Sequence, residues 1–139
     1  EEDIQKLIKL EMDLFGYFED TTAKQIVRLV TEAYGLTPRV LTNPSIEQIK
    51  GELSQNNLVI MGMAGKLLGN PHFRSPGPIY HMLIFKGYDA TGFYVNDPGT
   101  RYGANYHYSY ATIQNAMHDW AGSEEATYNS QPVALVFSK

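Results

Sequence analysis

His81 and Asp97 are the residues of this chain whose types and spacing could do chemistry. His81 lies in the run Tyr80-His81-Met82-Leu83-Ile84-Phe85-Lys86-Gly87-Tyr88, and Asp97 directly follows Gly92-Phe93-Tyr94-Val95-Asn96. A histidine held by a carboxylate can take a proton from a nucleophile, because the carboxylate fixes the imidazole tautomer and supports the imidazolium that forms. The pair has the look of two thirds of a catalytic triad. Such a pair would normally serve a cysteine, and the 139 residues contain none.

Both residues also have plain structural readings. A lone histidine in an apolar strand is commonly a hydrogen-bonded core residue. Asn96-Asp97-Pro98-Gly99-Thr100 has the composition of a turn in which Asp97 caps backbone amides. If the two runs pair as a hairpin, opposed side chains have Cβ atoms about 4.5–5.5 Å apart, close enough for base and carboxylate to meet. A two-residue or four-residue connection centred on Ala90 and Thr91 opposes His81 with Thr100 and puts Asp97 on the other face. The triad therefore requires an odd-length connection or a bulge between Tyr88 and Asn96, or a break of pairing before Asp97.

Other reactive groups fit chemistry less well. His72, His107 and His118 lack HExxH or paired-carboxylate spacing, which leaves His72, His81, Asp97 and His107 as the set that could hold a metal. Ser75 and Ser109 follow proline-rich and tyrosine-rich segments, and nothing places either at a helix start facing His81. Tyr102, Tyr106 and Tyr108 read equally as the lining of a substrate groove and as exposed tyrosines beside a sheet edge.

The elements that must position these residues follow from periodicity. Ile4, Leu7, Ile8 and Met12 give an amphipathic helix over Asp3 to Met12. A second helix is capped by Asp20-Thr21-Thr22 with Gln25 in capping-box position, buries Ala23, Ile26, Val27, Val30 and Ala33, and ends at Gly35. Ser45 and Gln48 repeat that capping logic for a helix with Ile46, Ile49 and Leu53 on its buried side. Strands are expected at Leu58–Met63, Ile79–Gly87, Phe93–Asn96, Tyr106–Tyr108 and Val133–Phe137, with a helix over Ala111–Trp120 carrying a core stripe of Tyr110, Ile113, Met117 and Trp120. The prolines of Arg74-Ser75-Pro76-Gly77-Pro78 make a rigid entry to the His81 strand, which is apolar on both faces as a covered central strand would be. Three helices followed by a mostly antiparallel sheet interrupted by one helix make the fold class α+β.

Composition narrows the partners. A chain of 139 residues fits one domain, and 43% hydrophobic with 19% charged residues excludes disorder. A net charge of −4, with no clustered Lys and Arg, argues against nucleic acid. No apolar run reaches membrane-spanning length, so no membrane span is expected. Zero cysteines suits oxidising and reducing compartments alike. The first residue, Glu1, suggests a processed or truncated product.

The blocks Leu68-Gly69-Asn70-Pro71, Ser75-Pro76-Gly77-Pro78, Tyr80-His81-Met82-Leu83, Gly87-Tyr88-Asp89, Asn96-Asp97-Pro98-Gly99-Thr100-Arg101 and Asn105-Tyr106-His107-Tyr108-Ser109-Tyr110 together resemble the C39-like family of bacterial cysteine peptidases, itself papain-like. Tyr17 to Thr21, Ser45 to Leu58 and Asn115 to Trp120 extend that resemblance over nearly the whole chain. It implies a papain-like fold and a single, N-terminally incomplete peptidase domain over residues 1–139. It also implies that the nucleophilic Cys opens a helix upstream of Glu1, after an oxyanion-stabilising Gln. His81 would then be the general base and Asp97 its orienting partner, with Tyr80, Asn70 and Tyr106 as expected substrate contacts. The implied partner is a peptide or protein, and the missing N-terminal segment as well. No cofactor or metal is implied, and the resemblance suggests an extracellular or cell-envelope setting. The favoured reading is a peptidase seen in part and silent without its thiol; the alternative is a catalytically dead module that binds peptide or protein partners. They differ in one feature, since a domain deprived of its nucleophile helix must cover that apolar sheet face with something else.

Overall fold

The structure, a computed structural model, describes residues 22–72, 80–96, 105–119 and 121–138, apart from the side chains of Leu29, Ala33 and Tyr34. In chain order these form α1 (Ala23–Tyr34), β1 (Arg39–Thr42), α2 (Ile46–Ser54), β2 (Leu58–Ala64), a short 3-10 helix (Gly65–Leu68), β3 (Tyr80–Tyr88), β4 (Gly92–Asn96), β5 (Tyr106–Ser109), α3 (Tyr110–Ala116), α4 (Glu124–Tyr128) and β6 (Val133–Phe137). The expected α+β class is observed. The expected helix over Asp3 to Met12 lies outside the described residues.

Local chemistry sets the helix ends. Thr22 Oγ1 accepts the Gln25 amide at 3.1 Å while Gln25 Oε1 accepts the Thr22 amide at 2.8 Å, the reciprocal box anticipated from sequence. Gly35 closes α1 at φ 64, a left-handed conformation that glycine adopts without a Cβ clash. Ser45 and Gln48 form the same box at α2.

One six-stranded sheet, ordered β1-β6-β2-β3-β4-β5 and antiparallel throughout, carries the fold. Side chains alternate across it. Val59, Met61, Met63, Leu83, Phe85, Phe93, Val95, Ala134 and Val136 form one buried face, packed with Ile49 and Leu53 of α2, Leu68, and Ile113 and Ala116 of α3. Phe93 sits edge-on between Phe85 at 5.1 Å and Tyr110 at 5.0 Å. The opposite face, Leu58, Ile60, Tyr80, Met82, Ile84, Leu135 and Phe137, is covered by Ala23, Ile26 and Val30 of α1.

Three elements were not expected, the 3-10 helix over Gly65–Leu68 among them. β1 is short and largely exposed, so it has no apolar alternation to read. α4 is five residues long, too short for a periodic signal, and is capped by Ser123 accepting from the Ala126 amide. The expected Ala111–Trp120 helix ends at Ala116, because Met117 leaves it to form a bridge with Met63 of β2. Trp120 lies outside the described residues.

Candidate functional site

β3 and β4 form the hairpin expected to bring His81 and Asp97 together. Tyr88 opposes Phe93 and Gly87 opposes Tyr94, across a four-residue turn closed by the Asp89 amide donating to Gly92 O at 2.9 Å. That register alone would separate the pair. Between Gly87 and Phe85 the register shifts, so that Phe85 opposes Val95 and Ile84 opposes Asn96. Lys86 is the extra residue of a bulge, which lies on β3 and not between Tyr88 and Asn96. Beyond it, odd-numbered residues of β3 oppose odd-numbered residues of β4, the parity a His81–Asp97 pairing needs. Ile84↔Asn96 is the last pairing described; Asp97 itself lies outside the described residues.

His81 opposes Met63 near the start of β3 and is half-buried. By alternation it shares the face of Leu83 and Phe85, the face packed by α2 and α3. α1 lies across the other face but opens at the same end of the sheet. The Ala23 amide donates to Asp119 Oδ1 at 3.0 Å, the His118 amide donates to Gly62 O at 3.3 Å, and Met117 bridges Met63, the partner of His81. Asp119 is fixed in turn by Ser130, whose Oγ accepts the Asp119 amide at 3.0 Å. Internal acceptors at this opening take the N-cap amide and two of the first amides of α1: Gln25 Oε1 that of Thr22, Asp119 Oδ1 that of Ala23 and Thr22 Oγ1 that of Gln25.

The three expected substrate contacts are placed differently from one another. Tyr80 is 6% exposed and fills the space above Gly62 on the α1 face, its hydroxyl directed at Met82 Sδ at 3.3 Å. Asn70 is 7% exposed; its Nδ2 donates to the Tyr108 hydroxyl at 2.9 Å and its Oδ1 accepts the His72 amide at 2.8 Å, which anchors the loop after the 3-10 helix. Tyr106 is half-buried, tilted against Tyr108 at 4.8 Å and edge-on to His72 at 6.3 Å. Packing and loop anchoring therefore occupy Tyr80 and Asn70, and Tyr106 alone of the three presents a partly open ring. Ser109 does open a helix, α3, but its Oγ accepts the Thr112 amide at 3.2 Å and it pairs with Gly92 at the turn end of the hairpin, away from His81.

A histidine–carboxylate pair that sequence reasoning missed lies at that turn. His107 Nε2 is 3.2 Å from Asp89 Oδ1, which also accepts from the Thr91 amide at 2.8 Å, the Thr91 hydroxyl at 2.9 Å and the Gly92 amide at 3.0 Å, while Oδ2 accepts from the Tyr94 hydroxyl at 2.9 Å. The Thr91 amide, then its hydroxyl, then His107 and Tyr94 hold the Asp89 carboxyl well below its usual range. This is a turn clamp, since the Thr91 and Tyr94 hydroxyls beside it are already donating to the carboxylate. The Asp89 position two residues before Thr91 is the Asx-turn signal that could have revealed it. His107 opposes Tyr94, and hence Gly87, so it stands about 20 Å along β3 from His81. The set His72, His81, Asp97 and His107 is thus not gathered at one place, and no cluster of three metal-ligating side chains occurs among the described residues.

Comparison with known proteins agrees with this architecture. The model of the Peptidase C39-like family matches residues 13–129. No curated protein matches the chain. The crystal structure of a provisionally assigned C39-like peptidase from Bacillus anthracis is similar with a TM-score of 0.58 at 16% identity, over 86% of this chain and 60% of that one. The chain therefore spans less than two thirds of that structure, which at this identity speaks for a shared fold alone. With a match over most of its length and a papain-like arrangement of helices about one antiparallel sheet, the chain belongs to the C39-like peptidase family.

Proposed function

We propose that these residues form a catalytically silent C39-like domain that holds peptide at the His81 end of the sheet without cleaving it. The observation that carries the proposal is the closure of both sheet faces by helices of this chain, α1 on one and α2 with α3 on the other. A peptidase separated from its nucleophile helix would leave an apolar face open, and the apolar side chains that β2, and β3 from Tyr80 to Phe85, place on the two faces are buried. Two facts support silence. The sequence has no thiol, and α1 opens at Thr22, whose hydroxyl accepts the Gln25 amide. A thiolate or developing oxyanion at a helix start needs free amides, and here Asp119 Oδ1 and Thr22 Oγ1 already take those of Ala23 and Gln25.

A second reading keeps His81 as base and then acid, Asp97 as its orienter, and a cysteine supplied from outside these residues, the reaction being acyl transfer to sulfur and hydrolysis. The spacing of His81, Gly87-Tyr88 and Asp97 favours it. Light scattering of the purified chain, followed by incubation with a fluorogenic peptide library with and without reductant, tests the proposal. A monodisperse monomer that binds peptides and leaves them intact is expected. Aggregation of the lone chain, or hydrolysis by it, would overturn the proposal. Thiol-dependent cleavage by the full natural polypeptide, with iodoacetamide labelling, would establish the second reading in its place.

A further inference from the structure

β1 ends the sheet: among the described residues it pairs with β6 on one side and with no strand on the other. The direction of its backbone groups follows from its neighbour. The Asn43 amide donates to Pro132 O at 2.7 Å, and Asn43 and Pro132 continue the register in which Arg39 opposes Val136 and Leu41 opposes Ala134. Amides and carbonyls alternate in direction along a strand, so Arg39 and Leu41 bond inward to β6 while Val40 and Thr42 turn their N–H and C=O groups outward.

The side chains along this edge are sorted by face. Val40 opposes Leu135 and so lies on the α1 face, and at 51% it is the most exposed of the large hydrophobic side chains described. Leu36, Val27 and Val133 are partly buried against the same cluster. On the other face Arg39 is paired with Glu52 of α2, which takes its charge away from the edge, and Leu41 packs on the core. Sheet edges are usually blunted by an unpaired charge, an internal proline or a bulge, and within Arg39-Val40-Leu41-Thr42 none of these is present; shortness is the remaining guard.

We propose that the β1 edge is a docking site for an extended polypeptide segment, which adds as a seventh strand beside Val40 and Thr42 and sets an apolar side chain against Val40. The outward N–H and C=O groups of Val40 and Thr42 identify the occupant, because paired donors and acceptors at strand spacing are matched by another extended backbone. The apolar requirement comes from Val40 on the α1 face, and the polar alternate positions from Arg39 and Glu52 on the other. This edge is separated from His81 by β6 and β2, so the site is independent of any binding there.

The test uses a short fluorescein-labelled peptide alternating valine and threonine, capped at both ends and flanked by lysines, with binding read by anisotropy and by amide hydrogen exchange. Bound peptide is expected to slow exchange at Val40 and Thr42 while leaving Arg39 and Leu41, already bonded to β6, unchanged. Val40→Lys should weaken binding at least about tenfold, and Thr42→Pro, which removes an outward amide without removing a ladder bond, should do the same. No binding by the probe overturns the proposal, as does binding that leaves the Val40 and Thr42 amides unchanged or survives both substitutions. Protection of those two amides in the free monomer would assign the edge to another segment of this chain, and protection that grows with protein concentration would assign it to a second copy; either result also overturns it.

Discussion

Gly62→Ala tests whether Tyr80 is a core side chain. A Cβ at this position would stand 2.5 Å from Tyr80 Cε1 and Cζ and closer still to the hydroxyl oxygen. Ordinary carbon contacts are about 3.5–4.0 Å, so the ring must retreat by more than about 1 Å. Retreat is hard, because Tyr80 is 6% exposed and packs in the cluster that includes Ala23 and Ile26 of α1. Overpacking of this kind costs about 1–3 kcal/mol. In a chain of this size that lowers Tm by about 3–10 °C. Urea unfolding should show a lower midpoint at unchanged m. In a Tyr80→Leu background the added methyl has room, and its cost should fall to within about 0.5 kcal/mol of zero, a coupling measured by the double-mutant cycle. An equal cost in both backgrounds would refute the packing of Tyr80 on Gly62 and return Tyr80 to the list of groove contacts.

Three further outcomes follow from the hydrogen bonds. Asp119→Ala removes the acceptor of the first α1 amide and should cost about 0.5–2 kcal/mol in urea unfolding, with faster exchange at Ala23; an unchanged Ala23 amide would disprove the contact. Asn70→Ala leaves the buried Tyr108 hydroxyl and the His72 amide without that partner and should cost about 1–3 kcal/mol, read by thermal melting. Asp89 has a folded pKa below its unfolded value near 3.8, so the clamp's stabilisation is fully present above that value and is lost as pH falls below it. Asp89→Asn should therefore flatten the acid limb of the stability profile below about pH 4, whereas an identical acid limb in both proteins would show that Asp89 does not clamp the turn.

Much of the fold could be read from local patterns. The Thr22/Gln25 and Ser45/Gln48 boxes fixed two helix starts, and apolar runs located β2, β3 and β6, because buried elements leave periodic traces. β1 left no such trace, since its pairing with β6 is made between distant segments and its side chains are mostly exposed. A bulge was anticipated as one way to restore the parity, but between Tyr88 and Asn96 rather than at Lys86, because a lysine in an apolar strand reads as an exposed position as readily as an inserted one. At the candidate site, His81 was singled out by its spacing, whereas the links from α1 through Asp119 and His118 to β2 join residues up to 96 positions apart and have no sequence signature. Asn70 and Tyr80 were expected as contact residues from the family resemblance, which carries no information on packing. The structure spends them on Tyr108 and Gly62.

The most direct measurement is an NMR titration of the chain with a degenerate peptide library, following the His81 ring and backbone resonances while mass spectrometry follows the peptides. A silent C39-like domain predicts saturable shifts centred on His81 and Met63, with every peptide recovered intact. Cleaved peptides, or a library that leaves His81 and Met63 unmoved however much is added, would contradict it.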